Sequence, residues 1–106
     1  MIVYNKLVRD LIPDIIKSSN KKCDFSVLEE KEFKLELKKK LVEEALELLN
    51  AGSEEESINE LADIYEVLEH IIKINNYDKL KINKIKNDKA INKGKFNKKY
   101  FLRNVE

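Results

Sequence analysis

Cysteine, proline, glycine and tryptophan are scarce in this chain. Of 106 residues, one is Cys, one is Pro, two are Gly and none is Trp. The lone Cys23 excludes an internal disulfide, and with a single histidine the chain has no Cys or His pairs for a structural zinc site. Cys23 therefore reads as an ordinary residue without a redox function. So few turn formers argue against a β-sandwich or a barrel. No apolar run approaches the roughly 18 residues of a membrane span. Arg9 and Asp10 interrupt the apolar N-terminal stretch, so no signal peptide is expected and a reducing, cytoplasmic setting is. A surplus of charge is missing too. The net charge is +1, which predicts no nucleic-acid polymer as partner.

What is present is Leu, Ile, Lys and Glu. Charged residues make up 39% of the chain and hydrophobic residues 42%. This is the composition of long helices, and the length predicts a single domain over residues 1–106. The core of so small a domain is limited, so oligomerisation would bury useful surface. The charges are unevenly spread. Residues 29–69 are rich in Glu, whereas residues 79–99 carry many Lys and almost no acid.

Local signals place the elements. Pro13 fits the first turn of a short helix from about Leu11 or Pro13 to Ser18. Cys23, Phe25 and Val27 alternate with polar residues, and with no second strand nearby this predicts an extended crossover. Residues 30–50 are strong helix formers and predict the first long helix. Asn50-Ala51-Gly52 supplies its stop, with Gly52 expected to be left-handed. Ser53 and Glu56 form a capping box, S-x-x-E, that opens a second long helix from about Glu54 to Asn75. Asp78 is a candidate N-cap for a last helix over Lys79–Lys93, ending at Gly94. Residues 95–106 read as a tail whose Phe96, Tyr100 and Phe101 need something to pack on. The expected fold is all-α, with two long antiparallel helices and short flanking helices. Two long helices are half of a four-helix core, which dimerisation would complete.

The two long helices carry acids in a pattern of their own. On a 100° wheel, Leu37, Leu41, Val42, Ala45, Leu48 and Leu49 form the apolar arc of the first. Glu44 projects inside the edge of that arc, Glu47 just beyond it, and Glu43 further round towards solvent. In the second, Leu61, Ile64, Leu68, Ile71, Ile72 and Ile74 define the arc expected to be buried. Glu60 projects within it and Asp63 borders it, while Glu66, Glu69 and Lys73 lie opposite. A half-buried carboxylate without a partner is costly, and four together repel. A hard divalent cation, Mg²⁺ or Mn²⁺, answers both problems. Taken singly, each acid could instead reach solvent or pair with a lysine such as Lys40.

Glu43-Glu44-x-x-Glu47 followed by Glu60-x-x-Asp63 resembles the signature of the MazG-like all-α nucleotide pyrophosphohydrolases, relatives of phosphoribosyl-ATP pyrophosphohydrolase. The run Tyr4-Asn5-Lys6-Leu7-Val8-Arg9-Asp10-Leu11-Ile12-Pro13 resembles the opening of one MazG-like subgroup. Lys89, Lys93-Gly94-Lys95-Phe96 and Phe101-Leu102 resemble its basic C-terminal element, except that Lys95 stands where a second Gly is expected. The resemblance implies that Glu44, Glu47, Glu60 and Asp63 ligate Mg²⁺ and that Glu43 or Glu47 takes a proton from the attacking water. It implies a nucleoside triphosphate substrate, cut at the α-phosphorus to a monophosphate and pyrophosphate. Lys6 and Arg9, with Lys89 and Lys93, are the expected phosphate-binding cations. Family members are dimers or tetramers.

Two other functions are compatible with the same residues. One is phosphoribosyl-ATP pyrophosphohydrolase of histidine biosynthesis, which cleaves the same bond. The other is a helical regulatory module that binds a nucleotide without turnover. Asp10 is expected either to anchor a cation or to cap the first helix. His70 lies near the border that holds Asp63 and reads as a solvent-edge residue. Phe33 and Tyr65 fall on apolar faces and are expected in the core.

Overall fold

The computed structural model describes residues 1–106, which form four helices and no strand. The fold is all-α, as composition predicted. Helix α1 spans Ile12–Ser18, α2 Glu30–Leu49, α3 Glu54–Ile74 and α4 Lys79–Lys93. The chain divides into two compact units, Met1–Asn75 and Asn76–Glu106. No helix is long and apolar enough to cross a membrane.

Helix boundaries follow the capping chemistry. Pro13 lies in the first turn of α1, where a missing N–H leaves no bond unmade. Leu11 occupies the N-cap position with no side-chain hydrogen bond, so Asp10 does not cap this helix. At its far end Asn20 adopts φ 59°, and the Lys21 and Asn20 amides donate to the Ile16 and Lys17 carbonyls. That is a Schellman arrangement with Asn in the role glycine often fills. Ser53 Oγ accepts from the Glu56 amide at 3.2 Å and starts α3. Asp78 Oδ1 accepts from the Leu80 amide at 2.9 Å and starts α4. Gly94, at φ 82°, ends α4. Lys95 does not share that left-handed conformation, so a lysine there carries no backbone penalty.

Gly52 departs from expectation, since its φ is not positive. Helix α2 is closed without it. The Asn50 amide and the Asn50 Nδ2 both donate to the Leu46 carbonyl, and the Ala51 amide donates to that of Leu48. Gly52 instead donates its amide to Glu56 Oε2 at 2.8 Å. A Cβ at this position would meet that oxygen at 3.7 Å, an ordinary contact.

The short connection folds α3 back along α2, and these helices form the main packing of the first unit. Leu37 and Val67, at 3% and 8% exposure, are its only buried apolar side chains. Both stand fifteen residues from Gly52, on opposite sides of the turn. Phe33, Leu41, Leu48, Ile64, Ile71, Ile72 and Ile74 flank them half-buried. The remainder of the expected arcs is not covered. Val42, Ala45 and Leu49 on α2 and Leu61 and Leu68 on α3 are exposed, and Tyr65, expected in the core, is 69% exposed. Two helices packed against each other cover only a narrow seam of each, and an arc this wide needs further partners. Phe96, Tyr100 and Phe101 are likewise exposed rather than packed.

Candidate metal centre

Glu44 is the centre of the acidic site. It is 5% exposed, the one charged residue of the chain that is buried. Helix periodicity turns it into the α2–α3 seam, eight residues before Gly52, and Glu60 enters from α3 eight residues after. One oxygen of Glu44 lies 3.5 Å from Lys40 Nζ. The other, Oε2, has no hydrogen-bond partner, and neither has Oε2 of Glu60. Each such orphan costs on the order of 1–3 kcal/mol.

Two groups of carboxylates share Glu44. Glu43, Glu44 and Glu47 form one, and Glu44, Glu60 and Asp63 the other, each with ligand oxygens within 4.8 Å of one another. Burial pushes the Glu44 carboxyl up. The nearby Glu60 and Glu47 carboxylates add to this, while Lys40 offsets part of it. The result is about 7. Glu43 goes the other way. Burial works to raise it, but the hydrogen bond from Lys6 and the charges of Lys40 and Lys6 outweigh burial and leave it below its ordinary value.

Glu43 also corrects the helical-wheel placement. It is half-buried rather than turned to solvent, with Lys6 Nζ 3.2 Å from Oε1 and Lys40 Nζ 3.5 Å from Oε2. Glu47, at the outer edge, is exposed. Asp63 accepts from Arg9 Nη2 at 2.8 Å. The first unit thus brings together Lys6, Arg9, Glu43, Glu44, Glu47, Glu60 and Asp63.

Lys89 and Lys93 stand exposed on α4, in the second unit. Lys93 lines a basic concavity with Gly94, Lys95, Asn97, Lys98 and Tyr100, and Lys98 Nζ sits 5.8 Å above the Tyr100 ring. His70 bonds Glu66 at 3.0 Å on the surface of α3. Asp10 forms no ion pair with Arg9 or a lysine. What sequence reasoning missed is the attachment of the N-terminal arm to the acids. Lys6 and Arg9 lie three residues apart, and their acids Glu43 and Asp63 lie on different helices. No local spacing connects the two pairs.

The donor set is all oxygen, dense, and partly stripped of water. That fits Mg²⁺ or Mn²⁺, hard cations that take carboxylates and keep several waters. Two buried oxygens without partners are the observation a cation would answer.

No family model matches the chain, and no curated protein or solved structure matches it either.

Proposed function

We propose that this chain is a Mg²⁺-dependent nucleoside triphosphate pyrophosphohydrolase of the MazG-like kind, acting on ordinary, modified or deoxy nucleotides. One observation carries the reading. Glu44 is buried, its Oε2 lacks a partner, and it belongs to both carboxylate groups. An acid held this way destabilises the folded chain unless something binds it. The resemblance of the acidic motifs and of residues 4–13 names the chemistry.

Glu44, Glu47, Glu60 and Asp63 would hold the cation. A bound Mg²⁺ supplies Lewis-acid polarisation at the α-phosphoryl group and lowers the pKa of a coordinated water. Glu43 or Glu47 accepts the proton of the attacking water. The new bond forms to the α-phosphorus, the α–β anhydride bond breaks, and pyrophosphate leaves with the electron pair. Lys6 and Arg9 bind the phosphates and balance the charge of the leaving group. Glu43 is held ionised by Lys6 and Lys40 and is a weak base, and Glu47 stands exposed at the rim of the site.

A dimer completing a four-helix core belongs to the same proposal. Leu35, Val42, Leu46 and Leu49 form an exposed stripe on α2, and Ile58, Leu61, Tyr65 and Leu68 form another on α3. Their spacing of three, four and seven residues is that of a helix-packing seam. With only two apolar side chains buried, a second copy laid on these stripes would supply the missing core.

The deciding experiment is product analysis on a panel of ordinary and modified NTPs and dNTPs with Mg²⁺. Pyrophosphate and monophosphate in equal yield are expected. Orthophosphate released directly, without added pyrophosphatase, would overturn the reading.

A further inference from the structure

The N-terminal arm touches the acids through two cations. Lys6 reaches Glu43, and Arg9 reaches Asp63 at 2.8 Å, across 54 residues of chain. These are the arm's only hydrogen bonds to α2 and α3. Little else holds it. From Met1 to Leu11 only Leu7 is even half-buried. The Arg9–Asp63 pair is open to water on both sides, with side-chain exposures of 61% and 38%. Glu44 and Glu60, next to Asp63, each carry a buried oxygen without a partner. Arg9 therefore neutralises the accessible acid of its group and leaves the buried oxygens unanswered.

We infer that Arg9 and a divalent cation compete for Asp63, so that cation binding releases the Arg9 guanidinium to receive a phosphoryl oxygen. This rests on the metal reading above. Arg9 would then have two partners in succession, Asp63 before the cation binds and an anionic ligand afterwards. An exposed ion pair of this kind is weak enough to exchange and strong enough to measure. A guanidinium suits both partners, since carboxylate and phosphate offer the same paired oxygens to its fork. Cation binding would thereby precede productive phosphate binding.

The chain has only two arginines, Arg9 and Arg103, so phenylglyoxal modification read by peptide mass spectrometry has an internal control. Ionic strength is matched with NaCl because exposed pairs are screened by salt. In the full-length protein, Mg²⁺ is expected to raise the modification rate of Arg9 relative to Arg103. Tripolyphosphate is expected to protect Arg9 again only when Mg²⁺ is present. Asp63→Asn should expose Arg9 with or without Mg²⁺. By calorimetry, Arg9→Gln should bind Mg²⁺ roughly two- to fivefold more tightly than the native chain. If the native chain binds Mg²⁺ but the Arg9 rate does not rise, or Arg9→Gln gains no affinity, the exchange is wrong while the metal reading stands. If Mg²⁺ frees Arg9 and tripolyphosphate then fails to protect it, the anion-binding role is overturned. If neither Mg²⁺ nor Mn²⁺ binds, the inference falls together with the metal reading.

Discussion

The two units of this chain carry opposite charge in different ways. Met1–Asn75 holds 11 Lys and Arg against 17 Asp and Glu, and Asn76–Glu106 holds 10 against 3. In the second unit every basic side chain is exposed, and only Lys84 has an acidic partner, Asp88 at 2.9 Å. Those charges are solvated one by one and cost little. In the first unit the excess converges. Five acids meet at the α2–α3 seam, one of them buried, and three cations are drawn onto them. A near-neutral total conceals this difference. Burial and convergence, rather than the number of charges, mark a site where folding stability has been given up.

The largest contrast between the units is expected in pyrophosphate release when acids or bases are removed. On the pyrophosphohydrolase proposal, Asp63→Asn or Glu44→Gln is expected to lower it by about three orders of magnitude, since a catalytic cation would supply several kcal/mol. Lys89→Ala combined with Lys93→Ala should lower it about tenfold or less. A larger effect in the second unit than in the first would reverse the assignment.

Stability gives the next contrast. Leu37→Ala opens a cavity in the seam and should cost about 2–5 kcal/mol by urea unfolding. Ile91→Ala, on an exposed position of α4, should stay within about 0.5 kcal/mol. Equal effects would mean that α4 is buried in solution, in an oligomer for example.

The pH dependence follows from Glu44. Its carboxyl titrates near 7 in the folded chain against an ordinary 4.5, so between these values the folded state holds the extra proton. Metal-free stability is then expected to fall as pH rises from 4.5 to beyond 7, by at most about 3 kcal/mol. Glu43 acts oppositely: its contribution is present above 4.5 and is lost as pH falls through its lowered folded value. Glu44→Gln should abolish the decline and stabilise the metal-free protein at pH 8. A decline that persists in Glu44→Gln would assign it to another group. The smallest effect is expected from Lys84→Ala. Its exposed i,i+4 pair is worth about 0.3–0.5 kcal/mol, and the loss should vanish in high salt.

Much of the fold was legible in the sequence. Ser53 with Glu56, Asp78, Pro13 and Gly94 mark helix ends because capping is local chemistry, satisfied within four residues. The acids were legible for the same reason, since Glu44 with Glu47 and Glu60 with Asp63 repeat at a helical turn. The misreadings share a cause as well. A left-handed Gly52 is unnecessary because Asn50 and Ala51 satisfy the α2 carbonyls themselves. Tyr65 is exposed although its helical face is apolar, because a wheel shows which residues share a face, not whether anything covers that face. Glu43 was turned to solvent because the wheel contains no Lys6.

By itself, then, the sequence determined four helices, their caps and an acidic pair of turns, all consequences of contacts within a few residues. Only the tertiary structure decided which acid is buried and which cations meet it. Those outcomes depend on the α2–α3 seam and on an arm whose partners lie 37 and 54 residues away. Burial and long-range electrostatics arise when distant segments exclude water together, and no local spacing encodes them.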